Sequence, residues 1–172
     1  MHRIMIMIFL AVFLLSGCSM RRLAVDTTAL FMDDVVAAFL QEEDAEFAEA
    51  AGPGNLKLLD GLIRGSDFQN DSLLVKGCKL YGMYAVAFFE DASADRRTDR
   101  KNLKRASVFY ERAKNYGLKV LAGNRDFREA LEKPYEDYKK TLMAFGENDV
   151  EALFWTAFAW GSYINLNRNS VR

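Results

Sequence analysis

The run from Leu73 to Phe89 is apolar around nearly the whole circumference of a helix, broken only by Lys76 and Lys79. Such a helix has no face to give to water, so it must be covered on more than one side. Two lysines and a length short of the ~20 residues of a bilayer span argue against a membrane crossing. Gly77 and Gly82 inside it let neighbouring helices approach closely. Only two prolines occur in 172 residues, which leaves long stretches free to be helical. Strand signals are weak throughout, and the chain reads as one all-α domain or two small ones.

Charge and histidine usage narrow the function. Lys plus Arg (23) nearly balances Asp plus Glu (24), so no overall positive field exists to hold nucleic acid. The single histidine, His2, falls in a segment expected to be removed. Without it the mature chain has no imidazole for a catalytic triad, a metal site or acid–base work.

Met1-His2-Arg3 is followed by an uncharged apolar run from Ile4 to Leu15 and then by Ser16-Gly17-Cys18. Arg3 supplies the positive region, the run is too short to span a bilayer, and small residues follow where a peptidase must fit. Leu15-Ser16-Gly17-Cys18 resembles the bacterial lipobox, in which the cysteine thiol is acylated before cleavage on its N-terminal side. The alternatives are an ordinary secretory signal with a coincidental cysteine, or a weak membrane anchor. The expected organisation is a signal peptide over 1–17, a lipidated tether over 18–25 and a helical domain over 26–172. Palmitate-type acylation at Cys18 anchors the chain stably once two or more acyl chains are attached. By resemblance to enterobacterial lipoproteins, in which an Asp after the cysteine favours inner-membrane retention, Ser19 is compatible with transfer to the outer membrane. Cys78 is then the remaining thiol, so no intrachain disulfide forms and the fold rests on packing.

Along the mature chain, Asp26-Thr27-Thr28 offers a cap for a helix over 26–51, which the breaker Gly52-Pro53-Gly54 is expected to end. A shorter helix carrying Leu56, Leu59, Leu62 and Ile63 closes near Gly65. Asn70, Asp71 and Ser72 are alternative caps for the apolar helix, and 91–99 is a polar linker. Helix four, roughly 99–121, sets Leu103, Ala106, Phe109, Tyr110, Ala113 and Tyr116 on one stripe, expected to face the helix bearing Gly77 and Leu80. Arg97, Lys101, Lys104, Arg105 and Arg112 lie largely elsewhere. They read as a solvated face paired with Asp95, Asp99 and Glu111, or as a contact for an acidic partner or lipid headgroups. Asn124 caps a fifth helix, and Pro134 kinks it or starts a sixth. Asn148 with Glu151 suggests a capping box opening the last, aromatic helix through Phe154, Trp155, Phe158, Trp160 and Tyr163.

Ala106-x-x-x-Tyr110-x-x-Ala113 has the small–aromatic–small spacing of tetratricopeptide second helices. Gly77 with Leu80 and Tyr81 is echoed by Gly161 with Ile164 about eighty residues on, longer than the 34-residue period of regular repeats. The expected fold class is therefore all-α, with helical hairpins of degenerate tetratricopeptide-like type stacked into a compact solenoid. Cys18, Leu59-Asp60-Gly61-Leu62, Leu73-Leu74-Val75-Lys76-Gly77, Tyr110-Glu111-Arg112-Ala113 and Phe154-Trp155-x-x-x-Ala159-Trp160-Gly161 together resemble the T component of tripartite ATP-independent periplasmic (TRAP) transporters. That resemblance implies a periplasm-facing lipoprotein with a lipophilic cleft or pore. It also implies a homotrimer beside a substrate-binding P component, and a small hydrophobic ligand. Members of that family are longer, so the chain is expected to be the N-terminal part of a longer domain.

Two helices more apolar than a two-layer bundle requires suggest a cavity between helices bordered by Met83, Phe88, Phe154, Trp155 and Phe158. Each of these could equally be simple core or subunit interface. No cofactor or metal is implied, and an enzyme is disfavoured. Asp33-Asp34 and Glu42-Glu43-Asp44 read as exposed surface rather than a positioned acid–base pair. The competing reading is a scaffold lipoprotein for envelope assembly with no ligand of its own.

Overall fold

The computed structural model describes residues 23–25, 27–90 and 96–168, with side chains in the last stretch from residue 100 onward. The signal peptide, Cys18 and residues 91–95 of the expected linker lie outside the described residues. The described chain is helical with no strand: helical residues 23–25, α1 (27–40), α2 (Ala45–Gly65), α3 (Asp71–Phe88), α4 (Arg96–Leu121), α5 (Arg125–Ala130), α6 (Tyr135–Leu142), a 3₁₀ turn (Glu147–Asp149) and α7 (Val150–Asn167).

The α3 helix lies at the centre and packs against α2, α4 and α7, as its all-round apolarity demands. Leu73, Leu74, Cys78, Tyr81 and Ala85 are fully or almost fully buried there. At Gly77 a Cβ would stand 2.7 Å from the Tyr116 ring of α4 and 2.8 Å from Ile63 of α2. Two helices therefore close on α3 at one residue that has no side chain to separate them. Ala106, Tyr110 and Ala113 are fully buried on α4, as their stripe predicts. The echo at Gly161 behaves differently, since Gly161 meets nothing and Ile164 is exposed. A second, smaller core of Leu121, Phe127 and Ala152 joins α5 and α6 to the end of α4 and the start of α7.

The first two helices depart from expectation. Instead of running to residue 51, α1 stops at 40 and α2 begins at Ala45, where the Asp44 carboxylate accepts from the backbone N–H groups of Glu46 and Phe47 at 3.0 Å. Gly52-Pro53-Gly54 does not break the chain but lies inside α2. Intrinsic propensity opposes this by roughly 5 kcal/mol, about 1 for each glycine and 3 for the proline. The buried stripe Ala48, Gly52, Leu56, Leu59 and Ile63 runs unbroken across the triplet, and its packing overrides propensity. At the start of α1, Thr27 and Thr28 donate back to Leu23 and Ala24 carbonyls at 2.8 Å, so they sit inside a helix rather than capping its start.

Local signals hold better further along. Asn70 caps α3 through Leu73 N–H and Asn124 caps α5 through Phe127 N–H. Pro134 stands at the N-cap of α6 and so starts a sixth helix. Asn148 does not cap α7; the Asp149 carboxylate instead accepts from the Gly146 N–H at 2.9 Å and closes the 3₁₀ turn.

Candidate functional site

A buried carboxylate ties the layer together. The side chain of Asp60 on α2 is 5% exposed; the Tyr116 hydroxyl of α4 donates to it, and Arg112, also on α4, lies 3.8 Å away. Lys57 and Arg64 reach the same carboxylate at 3.5 and 3.7 Å. Arg112 also donates to the Tyr81 hydroxyl of α3 at 2.9 Å and lies over that ring at 4.9 Å. Burial pushes the Asp60 carboxyl up, but the Tyr116 hydrogen bond and the Arg112, Lys57 and Arg64 charges outweigh it, leaving it below the ordinary carboxylate value. Burial and the same bond push the Tyr116 hydroxyl upward. The stretches Leu59-Asp60-Gly61-Leu62 and Tyr110-Glu111-Arg112-Ala113 thus meet in space. Arg112 corrects the sequence reading: it turns inward to Asp60 and Tyr81 rather than outward to Glu111. Lys57 and Arg64 are neighbours of Asp60 along α2, but nothing in that spacing signals Tyr116 and Arg112, which stand far away in the chain.

Two concavities lie apart from this network and share none of its residues. An apolar groove of about 300 Å³ lies where α4, α5, α6 and α7 meet, lined chiefly by Leu118, Leu121, Phe127, Tyr138, Leu153 and Trp160. Its wall is made by the second core, and α6 contributes to it without burying any residue of its own. A polar cleft of about 330 Å³ opens between α1, α3 and the start of α7, lined by Asp33, Lys76, Lys79 and Glu151 among others. Lys76 contacts Asp33 at 2.8 Å and Ser72 at 2.6 Å, and Lys79 contacts Glu151 at 2.9 Å.

The five residues expected to border a cavity divide between two places. Trp155 and Phe158 stack edge to face at 5.7 Å over Gly82, and Phe154 stacks on Trp155 at 5.0 Å while itself 59% exposed. Phe88 lies elsewhere, against Tyr84 at 4.8 Å. Met83 is half-buried. None of the five lines the apolar groove, whose α7 wall is the neighbouring stripe of Leu153, Thr156, Ala157 and Trp160. A helix apolar on all sides does not reveal in its sequence which side forms the groove.

Asp33, Asp34, Glu42, Glu43 and Asp44 are all exposed, in keeping with the surface reading. Cys78 is buried against Thr156, and burial pushes its thiol up to about 12. Among the described residues no three His, Cys, Asp or Glu side chains are grouped to hold a metal ion. Nor is any helix of those residues long and apolar enough to cross a membrane.

Fold and site together define an all-α helical-layer protein with an apolar groove beside a polar cleft. Residues 41–172 match the family described as TRAP transporter T-component, and the chain belongs to that family. It is thus an accessory component of a transporter of the cell envelope. Neither the curated proteins nor the solved structures compared with it yielded a match.

Proposed function

We propose that this chain is a periplasm-facing lipoprotein, anchored through Cys18 in the outer rather than the inner membrane, that docks the substrate-binding P component and holds a small hydrophobic molecule. The apolar groove carries the ligand reading: it is concave, about 300 Å³, and lined mainly by aliphatic and aromatic side chains. It is a separate proposal from the cavity expected at Met83, Phe88, Phe154, Trp155 and Phe158, none of which lines this groove.

A homo-oligomer, a trimer in the family reading, draws support from α7. Val150, Phe154, Ala157, Gly161 and Ile164 recur at alternating steps of four and three, and all five are exposed. That spacing is a coiled-coil seam, with small residues admitting a second helix closely. The central placement of α3 between α2 and α4 supports the stacked, tetratricopeptide-like reading.

The ligand reading is tested with Trp155→Phe, which leaves Trp160 at the groove as the remaining tryptophan reporter. Titration with 1-anilinonaphthalene-8-sulfonate is expected to quench Trp160 saturably, and Leu142→Asp in the same background, at a residue that lines the groove outside the α7 seam, to abolish the quench without loss of helicity. Native mass spectrometry of detergent-released protein should find a lipophile retained. If neither quench nor retained lipophile is seen, even with the P component present, the scaffold-lipoprotein reading replaces this one.

A further inference from the structure

The two lysines that interrupt the apolar α3 helix are held in an asymmetric arrangement. Lys76 and Lys79 lie three residues apart, so both ammonium groups face the same cleft. Their side chains are only 12% and 25% exposed, whereas their partners Asp33 on α1 and Glu151 on α7 are 66% and 53% exposed. The cations are thus built into the wall and the anions stand at the rim, where they can turn without repacking the fold. Each ammonium carries three protons. Those on Lys76 meet Asp33 and Ser72 and one on Lys79 meets Glu151, which leaves donor capacity directed at the cleft.

The cleft is also neutral as a whole, with two cations and two anions around a volume of about 330 Å³ whose floor includes Val75 and Ala152. A simple anion entering it would leave Asp33 and Glu151 facing like charge, and a simple cation would do the same to the lysines. Both carry a penalty that a ligand bearing one charge of each sign avoids. We propose that this cleft binds a small zwitterion of the amino-acid class. Its carboxylate takes the free N–H groups of Lys76 and Lys79, its ammonium donates to Asp33 or Glu151, and its short aliphatic side chain lies on Val75 and Ala152. The cleft shares no lining residue with the apolar groove, so this site stands apart from the hydrophobic-ligand reading.

The probe is L-valine, titrated calorimetrically into the full chain in detergent. Two isosteres accompany it: isovalerate, which lacks the ammonium, and isobutylamine, which lacks the carboxylate. Valine is expected to bind saturably and at least tenfold more tightly than either, a gap of about 1.4 kcal/mol. Val75→Phe, which fills the cleft and leaves all four charges in place, should remove the heat of binding. Lys79→Gln should raise the valine Kd about tenfold or more. Absence of saturable valine binding up to about 50 mM overturns the proposal and leaves the ion pairs as straps between helices. Isovalerate binding as well as valine also overturns it, since the site would then read only an anion.

Discussion

The Tyr84 hydroxyl of α3 donates to the Glu49 carbonyl of α2 at 2.8 Å, the acceptor that Pro53 leaves without its usual helical N–H. In a regular helix residue 53 would donate to the carbonyl four positions earlier, and proline cannot. The tyrosine makes good that loss from a neighbouring helix, and its ring rests on Gly52, immediately before the proline. The breaker triplet is thereby converted into a docking point between α2 and α3.

Removing the hydroxyl should expose this dependence. Tyr84→Phe leaves a partly buried carbonyl unpaired and is expected to cost about 1–3 kcal/mol. In a Pro53→Ala background the restored N–H serves Glu49, and the same change should cost markedly less. Urea melts of the four variants measure the coupling as a double-mutant cycle. Equal costs in both backgrounds would mean the hydroxyl does not substitute for the missing donor.

The two glycines beside Pro53 should respond in opposite directions. A Cβ on Gly52 would press into the Tyr84 ring, with Cδ2 at 2.7 Å, and Tyr84 is buried and wedged among Phe88, Phe89 and Phe109. Gly52→Ala is therefore expected to destabilise by about 1–3 kcal/mol. Gly54 meets nothing, so Gly54→Ala should stabilise by about 0.5–1 kcal/mol through helix propensity. Thermal midpoints that move in the same direction for both would contradict the packing assigned to Gly52.

Asp60 should give the fold a dependence on acid. Its carboxyl is held below the ordinary value of 3.8, so the stabilisation is fully present above that pH and is lost as pH falls through the lowered folded value. Asp60→Asn leaves Arg112 beside a neutral group and is expected to cost on the order of 3 kcal/mol near neutrality. The gap between wild type and variant should narrow on acidification below about pH 4, where the unfolded-state carboxyl gains its proton. Denaturant midpoints collected from pH 7 to pH 2.5 would reveal the convergence; a constant gap would remove the carboxylate charge from the explanation.

The proposed lipoprotein reading places the anchor on Cys18. Cys18→Ala should prevent labelled palmitate from entering the chain and should leave it unprocessed or released from membranes on fractionation. A variant still acylated and membrane-bound would overturn the lipobox reading.

The sequence alone determined what depends on neighbours along the chain. The α3 helix was legible because its apolarity is continuous, α4 because its buried stripe repeats at three and four, and the cap at Asn124 because a cap bonds within three residues of itself, whereas Asn70 was one of three candidate caps for α3. The exposed acidic runs at 33–34 and 42–44 were legible for the same reason. Tertiary structure decided what depends on partners far apart in the chain. Gly52-Pro53-Gly54 reads as a stop until Tyr84 supplies the missing donor. Arg112 reads as one charge of a solvated face until α2 brings Asp60 to it across α3. Phe154, Trp155 and Phe158 were identifiable as one aromatic helix, yet which flank of that helix walls a groove was set by α5 and α6, joined to it through the second core. Local pattern specifies which residues must leave water, while the packing of distant segments determines what they meet when they do.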